Sequence, residues 1–595
     1  MQMDILDAAL NINKNREDDV LARLTTVWGE NLSPDHVLEE YPRPQLKRDN
    51  YKILNGYWNY AITNSSAAPS AHDGRILVPF SPESILSGVE RQLKPREYLW
   101  YERNVSVTPE EYRSGKRLLL HFGAVDQYAS VYVNGRKVCT HMGGYLPFEA
   151  DITDSVREGD NSLALRVWDT SDTSYHSRGK QTLKRGGMYY TAQSGIWQTV
   201  WTEWVPKAHI RKLYLTPDFD KKELEIRLLV SGKNALPLRI RVFAGERCIY
   251  DGSCDTADGH ERFLATVPIS ERHPWTPDTP FLYGLCLQYG EDTVESYFAM
   301  RSFTVEPDQN GIMRFCLNHR PCFLNGVLDQ GYWPDGLYTA PSDEALVYDI
   351  RTMKELGFNM MRKHIKIEAA RWYYHCDRLG MIVWQDMVSG GTRYSLPLVC
   401  YFPTLFPAAS NHVKDGNYKL FGRDSKEGRK EWTAECMETV DYLYNVPSIA
   451  VWVPFNEGWG QFDANQITAM IKEKDPTRPV DHASGWLDQK GGDFKSIHNY
   501  FRKLRVVSDS RSCAISEYGG YACHVKGHSS VERIFGYRKF DTLPEFARAF
   551  RRLMEREVLP LVDKGLSAAV YTQVSDVEEE VNGLLTYDRK ICKLR

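Results

Sequence analysis

Two glutamates in this chain stand in matching frames. Ile449-Ala-Val-Trp-Val-Pro-Phe455 is a run of β-branched and aromatic residues that breaks off into Asn456-Glu457-Gly458. Such a run reads as a buried strand that delivers a carboxylate to its C-terminal tip. Further on, Cys513-Ala-Ile-Ser-Glu517-Tyr-Gly-Gly520 repeats the device. Cleavage of a glycosidic bond needs one carboxylic acid to protonate the leaving oxygen and one carboxylate to meet the developing oxocarbenium ion. If the carboxyl groups lie about 5–5.5 Å apart, the second acts as a nucleophile and configuration is retained. A lone glutamate at a strand end is as readily a solvated turn residue, but two in the same frame point to catalysis.

A scaffold that brings both tips to one axis is written in the same region. After Phe323 the pattern alternates strands with helices. Cys322–Leu328, Asn359–Arg362, Met381–Trp384 and Ile449–Phe455 read as strands; Ser342–Leu356, Ile367–Leu379, Arg429–Tyr444 and Asp463–Lys474 read as helices. Further strands are expected near Val480, at Ser496–Tyr500, Ala514–Ser516 and Ala568–Gln573, with a helix over Pro544–Asp563 before the last. This is the count of a (β/α)8 barrel, whose active site lies at the C-terminal ends of its strands. Glu457 then ends the fourth strand and Glu517 the seventh.

The chain before the barrel is all-β. Arg117–Phe122, Ala129–Val133 and Ser162–Trp168 alternate in the strand period, and Asn134-Gly135 is a two-residue hairpin signal, because both residues tolerate positive φ. Leu224–Val230 and Leu238–Phe243 belong to a second, smaller sandwich of immunoglobulin-like length. The expected division is an N-terminal arm at 1–40, a first sandwich at 41–205, a second at 206–306 and the barrel at 307–595.

Composition narrows the classes. Lys+Arg 74 against Asp+Glu 78 leaves a formal charge of −4, well mixed, which argues against nucleic acid and anionic membranes as partners. Aromatic residues make up 12%, a surplus that suits stacking on sugar faces and large β domains alike. The N-terminus lacks the basic and apolar regions of a secretory signal, and no stretch has the apolar length of a membrane span. The 12 cysteines form no Cys-x-x-Cys pair and no zinc spacing. A cytoplasmic protein is expected, or a periplasmic or secreted one if a leader was removed.

Phe455-Asn456-Glu457-Gly458 and Ser516-Glu517-Tyr518-Gly519 resemble the acid/base and nucleophile motifs of family 2 glycoside hydrolases, the family of β-galactosidases, β-glucuronidases and β-mannosidases. Phe122-Gly-Ala-Val-Asp126, Val131-Tyr-Val-Asn-Gly135, Gly143-Gly-Tyr-Leu-Pro-Phe148 and Ser194-Gly-Ile-Trp-Gln198 resemble its jelly-roll sugar-binding domain. The resemblance implies an N-terminal jelly-roll β-sandwich, an immunoglobulin-like β-sandwich and a C-terminal (β/α)8 TIM barrel. It implies Glu457 as general acid/base, Glu517 as nucleophile, Asn456 as the residue that reads the sugar 2-hydroxyl, and Arg362 as the cation that keeps Glu517 ionised. Tyr500 is the candidate phenol that donates to the nucleophile; His498, on the same strand face, is the alternative. Burial and the ionised Glu517 are expected to keep Glu457 protonated at rest.

Other polar residues at strand ends are pocket candidates: Asp329 and Gln330, His364, Gln385 and Asp386, His482, and Gln573. Trp333, Trp459 and Trp486 are candidates to stack on a sugar, or to pack loops. The sequence also departs from better-known relatives. Arg362-Lys-His364 differs from the usual Arg-x-Ser-His; Asn582-Gly583-Leu584 lacks the lysine of the β-glucuronidase Asn-x-Lys clamp; Tyr571-Thr-Gln-Val lacks a tryptophan. The expectation is a retaining exo-glycosidase, β-galactosidase-like first, with α-L-arabinofuranosidase, β-mannosidase or β-glucuronidase specificity as alternatives. A non-catalytic carbohydrate-binding protein is the reading from another class. No organic cofactor and no catalytic metal are expected, with room for a structural cation; the partner is an oligosaccharide or glycoconjugate, and homo-oligomers are compatible.

Overall fold

The computed structural model describes residues 21–595 apart from 233–235, 256–261, 396 and 533. Residues 1–20 of the expected N-terminal arm therefore lie outside the described residues. The part that follows is tied to the barrel, with the Thr26 amide donating to Asp335 Oδ2 (2.8 Å).

The strand periodicity builds the two sandwiches. In the first, Tyr51–Ile53, Val200–Val205, Arg117–Phe122 and Phe148–Asp151 form a four-stranded sheet. Gly74–Val78, Gly56–Thr63, Tyr98–Val107, Gly159–Trp168, Tyr128–Val133 and Arg136–Met142 form a six-stranded one, antiparallel throughout. Leu163, Leu165 and Val167 alternate into the core shared by the sheets. Asn134 and Gly135 take φ of +50° and +76°, making the tight turn their types allow. In the second sandwich a sheet of Ile210–Asp218, Glu223–Val230 and Arg262–Pro268 packs on one of Arg247–Asp255, Pro237–Ala244, Tyr283–Tyr289 and Asp292–Phe298.

The barrel strands are β1 (Leu324–Asp329), β2 (Met360–Lys363), β3 (Ile382–Asp386), β4 (Ile449–Val453), β5 (Phe494–Asn499), β6 (Ser512–Gly519) and β7 (Leu566–Thr572). They form one curled parallel sheet in the order β4-β3-β2-β1-β7-β6-β5. The strand expected near Val480 does not form. That segment pairs with β4 and the residues just after it through the single bridges Trp452–Val480 and Asn456–Ser484, not through a continuous ladder. Pro479 has no N–H to give a ladder, and Gly485 at φ +98° turns the chain away. The segment still fills the fifth position, since Asp481 N donates to Trp452 O (2.9 Å) and Asp493 N to Val480 O (2.8 Å).

The helices α1 (Asp343–Glu355), α2 (Ala370–Leu379), α3 (Lys426–Leu443), α4 (Ala464–Lys474) and α5 (Leu543–Leu553) pack outside. Ser342, Ser425 and Thr542 cap α1, α3 and α5 by accepting from the amides three residues on. The helix expected over Pro544–Asp563 forms, running from α5 through one wide turn at Met554–Val558 to Leu559–Val562; the wide turn accommodates Pro560, which has no N–H for the ladder. Met360, Trp384, Val451, Phe494, Ala514 and Val570 fill the barrel interior. Phe303 and Phe315 of a hairpin share that cluster, and the Phe315 amide donates to Ser567 Oγ at the start of β7, so the hairpin closes the N-terminal end. The open end is the one that carries Glu457 and Glu517.

Candidate active site

Strand β4 is buried along its length, and Pro454-Phe455 carries the chain past it to Asn456-Glu457. Glu457 has a left-handed backbone, φ +52°, rare for a residue with a side chain and frequent at functional sites. The conformation is held from three sides. The Glu457 amide donates to Ser484 O (3.0 Å), the Trp486 indole N–H donates to Glu457 O (3.1 Å), and Gly458 follows at φ +73°. Glu517 lies on β6, where the register against β5 slips between Ile497 and His498, so that His498 comes to stand beside Glu517. Such a bulge re-aims side chains at a strand's functional end.

The two tips meet over the barrel axis. One carboxylate oxygen from each glutamate and His498 Nδ1 all lie within 4.8 Å of one another. His498 Nδ1 is 2.7 Å from Glu457 Oε1 and 3.6 Å from Glu517 Oε2. Tyr500 donates its hydroxyl to Glu517 Oε2. The phenol is thus the donor to Glu517, while the imidazole, the alternative for that place, hydrogen-bonds Glu457 instead.

Arg362, wholly buried on β2, joins four strand ends. It donates from Nε to Asp386 Oδ1 (2.9 Å), from Nη1 to Ser516 O (3.0 Å) and Glu517 Oε1 (3.2 Å), and from Nη2 to Asn456 Oδ1 (2.7 Å). A guanidinium fork is the side chain that can hold so many acceptors in one plane. Because Asn456 Oδ1 faces Arg362, its amide NH2 is turned the other way. Asp386 passes its second oxygen to His364 Nδ1 (2.9 Å).

Burial sets the protonation of the cluster. It pushes Glu457 up to about 7, against the opposing charges of Lys180 and Arg362 and aided by Glu580. Glu580 is thus a further carboxylate acting on Glu457 that the sequence did not point to. Glu517 is also raised, by burial and by Glu457, while His498, Arg362 and the Tyr500 hydrogen bond favour its ionised form. Burial pulls His498 down to about 4 and His364 well below its ordinary value, so both imidazoles are neutral near pH 7.

The other sequence candidates divide by strand alternation. Lys363 points away from the barrel axis, onto the Trp372 ring of α2 at 4.0 Å, and binds Asp329 (2.6 Å) and Glu368 (3.1 Å). Asp329 therefore belongs to a buried ion network between strands and helices, not to the pocket. Gln385 is in the same layer, accepting from Tyr373 Oη (2.6 Å) and donating to Lys366 O (2.9 Å). His482 is drawn off by Asp488 (3.1 Å), which also holds Lys495 and Arg511. Trp333 packs under Arg589 (4.1 Å). Trp459 is buried between the rings of Tyr189 (5.4 Å) and Tyr394 (6.1 Å) and is loop core. Trp486 meets the His498 ring edge-on at 5.3 Å and, with His498 and Tyr500, lines a cavity of about 610 Å³. Gln330 donates to Gln573 (2.8 Å), Gln573 to Asn582 (2.8 Å), and Asn582 to Glu580 (3.2 Å), an amide chain that ends at the carboxylate beside the site.

Two residues of this neighbourhood were not legible in the sequence, Lys180 and Glu580. Lys180 comes from the first sandwich, and Glu580 from a loop after β7 that carries no strand frame. The charged turn Arg178-Gly179-Lys180 was the only available signal for Lys180.

Comparison with known proteins fits this geometry. Family models described as the glycosyl hydrolases family 2 sugar binding domain, glycosyl hydrolases family 2, and the glycosyl hydrolases family 2 TIM barrel domain match residues 89–201, 208–301 and 311–512. The chain belongs to glycosyl hydrolase family 2. Within the family it is similar to a beta-galactosidase of Thermoanaerobacter pseudethanolicus, 24% identical over 465 residues, covering 75% of this chain and 57% of that protein. The chain spans about half the length of the curated relatives it matches. Among solved structures it shares its fold with a beta-glucuronidase of an uncultured Clostridium (TM-score 0.69, 18% identity, 92% of this chain and 97% of that one). A beta-galacturonidase from Eisenbergiella tayi bound to galacturonate is similar in the same way (TM-score 0.68, 17% identity, 92% and 96%). Among the described residues no helix is long and apolar enough to cross a membrane.

Proposed function

We propose that this chain is a retaining exo-glycosidase that removes a terminal sugar from an oligosaccharide or glycoconjugate by double displacement. The observation that carries the reading is that a carboxylate oxygen of Glu457 lies within 4.8 Å of one of Glu517, which fits the close pair of a retaining enzyme better than the roughly 6.5–9.5 Å an inverting pair needs for its water. Glu517 is the nucleophile: Arg362 and Tyr500 both donate to it and stabilise its anion. Glu457 is the acid/base. Raised to about 7, it is protonated to a large extent at neutral pH and gives its proton to the leaving oxygen. Once the glycosyl-enzyme forms, the charge on Glu517 is gone, and Glu457 takes a proton from water in the second step. His498, neutral and 2.7 Å from Glu457, can accept at Nδ1 from the protonated acid while its Nε2–H faces Ser484 Oγ (3.1 Å).

Asn456 is the residue that reads the 2-hydroxyl. Arg362 fixes its Oδ1, and the NH2 turned outward is the donor for the sugar, a contact that tightens as the transition state forms. The sugar is neutral and β-galactose is the first to test, because Asn582-Gly583-Leu584, near which a β-glucuronidase clamp would fall, lacks its lysine. No organic cofactor is required. The free cysteines among the described residues support a reducing compartment.

The test is Glu517→Gln on a panel of aryl glycosides, with product configuration followed by NMR. Wild type should release the retained anomer of one sugar, and the variant should bind it yet lose turnover by orders of magnitude. An inverted product, or a variant with near-full activity, overturns the mechanism. Sugar binding by wild type with no hydrolysis across the panel favours the non-catalytic reading.

A further inference from the structure

We infer that Lys180, delivered by the first sandwich, is a substrate-binding residue of the barrel's sugar site, and that with Glu580 it selects a neutral terminal sugar over a uronic acid. The inference rests on the glycosidase reading for its chemistry, and on the following geometry for its residues.

The turn Arg178-Gly179-Lys180 is built into the barrel mouth. The amides of Arg178 and Gly179 both donate to Ser389 O, at 2.9 and 3.0 Å, and Arg178 donates to Gly391 O. Gly179 has φ +63°, and a Cβ there would stand 3.0 Å from both Ile365 O and Tyr338 Oη, so only glycine lets the turn sit this close. The consequence is that Lys180, with Tyr190 of the same sandwich, reaches Glu580 at the barrel mouth.

Its side chain is largely buried and its ammonium is under-used. It lies 3.8 Å from Glu580 Oε2, 5.4 Å from the Tyr190 ring centroid and 6.0 Å from that of Trp459. The Glu580 distance is an ion pair but beyond a hydrogen bond. Among the described residues no acceptor lies within hydrogen-bond distance of the Lys180 ammonium, which has three protons to donate. Its protons are therefore left to water or to a substrate oxygen. Glu580 is held for the complementary task. Tyr190 donates to its Oε2 and Asn582 to its Oε1 (3.2 Å), and lone pairs remain on both oxygens.

The pair is therefore a fixed donor beside a fixed acceptor. A sugar hydroxyl can accept from Lys180 and donate to Glu580. A uronate would instead bring a second carboxylate against a cation that Glu580 already balances, in a poorly solvated site where two like charges repel strongly. The charge of Lys180 also reaches the chemistry: it is the foremost influence that lowers Glu457 against burial, and it lowers His364.

The experiment uses the full chain with Lys180→Met, which keeps the apolar stem, and Lys180→Arg, which keeps the charge. Calorimetry with methyl 1-thio-β-D-glycosides of galactose, glucose, mannose, glucuronic acid and galacturonic acid measures binding without turnover. Wild type should bind a neutral thioglycoside best. Lys180→Met should weaken it by about 10–100-fold, the loss of one charge-assisted hydrogen bond, and Lys180→Arg should recover part. In kcat/KM on an aryl glycoside, the basic limb should move to higher pH in Lys180→Met, which a merely structural lysine would not cause. Unchanged binding in Lys180→Met, tighter binding of a uronide by wild type, or no binding of any member overturns the inference. Binding that obeys these expectations in a wild-type protein that hydrolyses nothing would leave Lys180 in place and remove the catalytic reading instead.

Discussion

Tyr500→Phe removes a single hydroxyl from the nucleophile and little else. The ring is stacked on Tyr537, centroids 3.8 Å apart and nearly parallel, so the phenylalanine should keep its place. What is lost is the hydrogen bond to Glu517 Oε2 and a 3.1 Å contact with Thr572 Oγ1. A hydrogen bond to a charged group contributes about 1.5–3 kcal/mol. If it is fully used to hold the ionised nucleophile on line, kcat/KM falls about 10- to 150-fold. The pH dependence gives an independent sign. The phenol stabilises the carboxylate and so lowers its pKa; without it the pKa rises, and the acidic limb of kcat/KM moves to higher pH. Initial rates on an aryl glycoside across pH measure both quantities. A variant within twofold of wild type whose acidic limb has not moved would show that the phenol does not act through Glu517.

Glu457→Gln should leave hydrolysis of glycosides with strongly activated aryl leaving groups least affected and cut poorly activated ones by about 10²–10⁴-fold, since only the latter need the proton; a leaving-group series checks this. The same variant tests linkage. Glu457 is raised to about 7 from its ordinary 4.5, so wild type loses stability as pH rises across that window, by about 3 kcal/mol at most, while the glutamine does not titrate. The melting temperature of the variant should thus gain on wild type between pH 5 and 7 and level off above; a constant gap would deny the raised pKa. Dialysis against EDTA should leave turnover unchanged. Loss of activity restored by zinc would make Glu457, His498 and Glu517 a metal site, for which their spacing is suitable.

What the sequence determined is what local pattern carries. Hydrophobic period two with Asn134-Gly135 marked the sandwich hairpin, and buried runs ending in Glu-Gly and Glu-Tyr-Gly marked the tips that meet over the barrel axis. The physical reason is that strand period and turn chemistry act over a few residues. Alternation also held information that strand ends alone concealed: Lys363 and Gln385 stand one position from Arg362 and Asp386, and that single step sends them to the helix layer. The failed strand at Val480 was legible in part, since Pro479 and Gly485 bracket it. Only the tertiary structure could decide the rest. The bulge at His498 gives each glutamate a different partner, and burial, a property of the whole fold, sets Glu457 near 7. Lys180 meets Glu580 across 400 residues of chain because a sandwich turn is seated on the barrel at Ser389. Contacts of that kind depend on how domains dock, and no local pattern of residues encodes them.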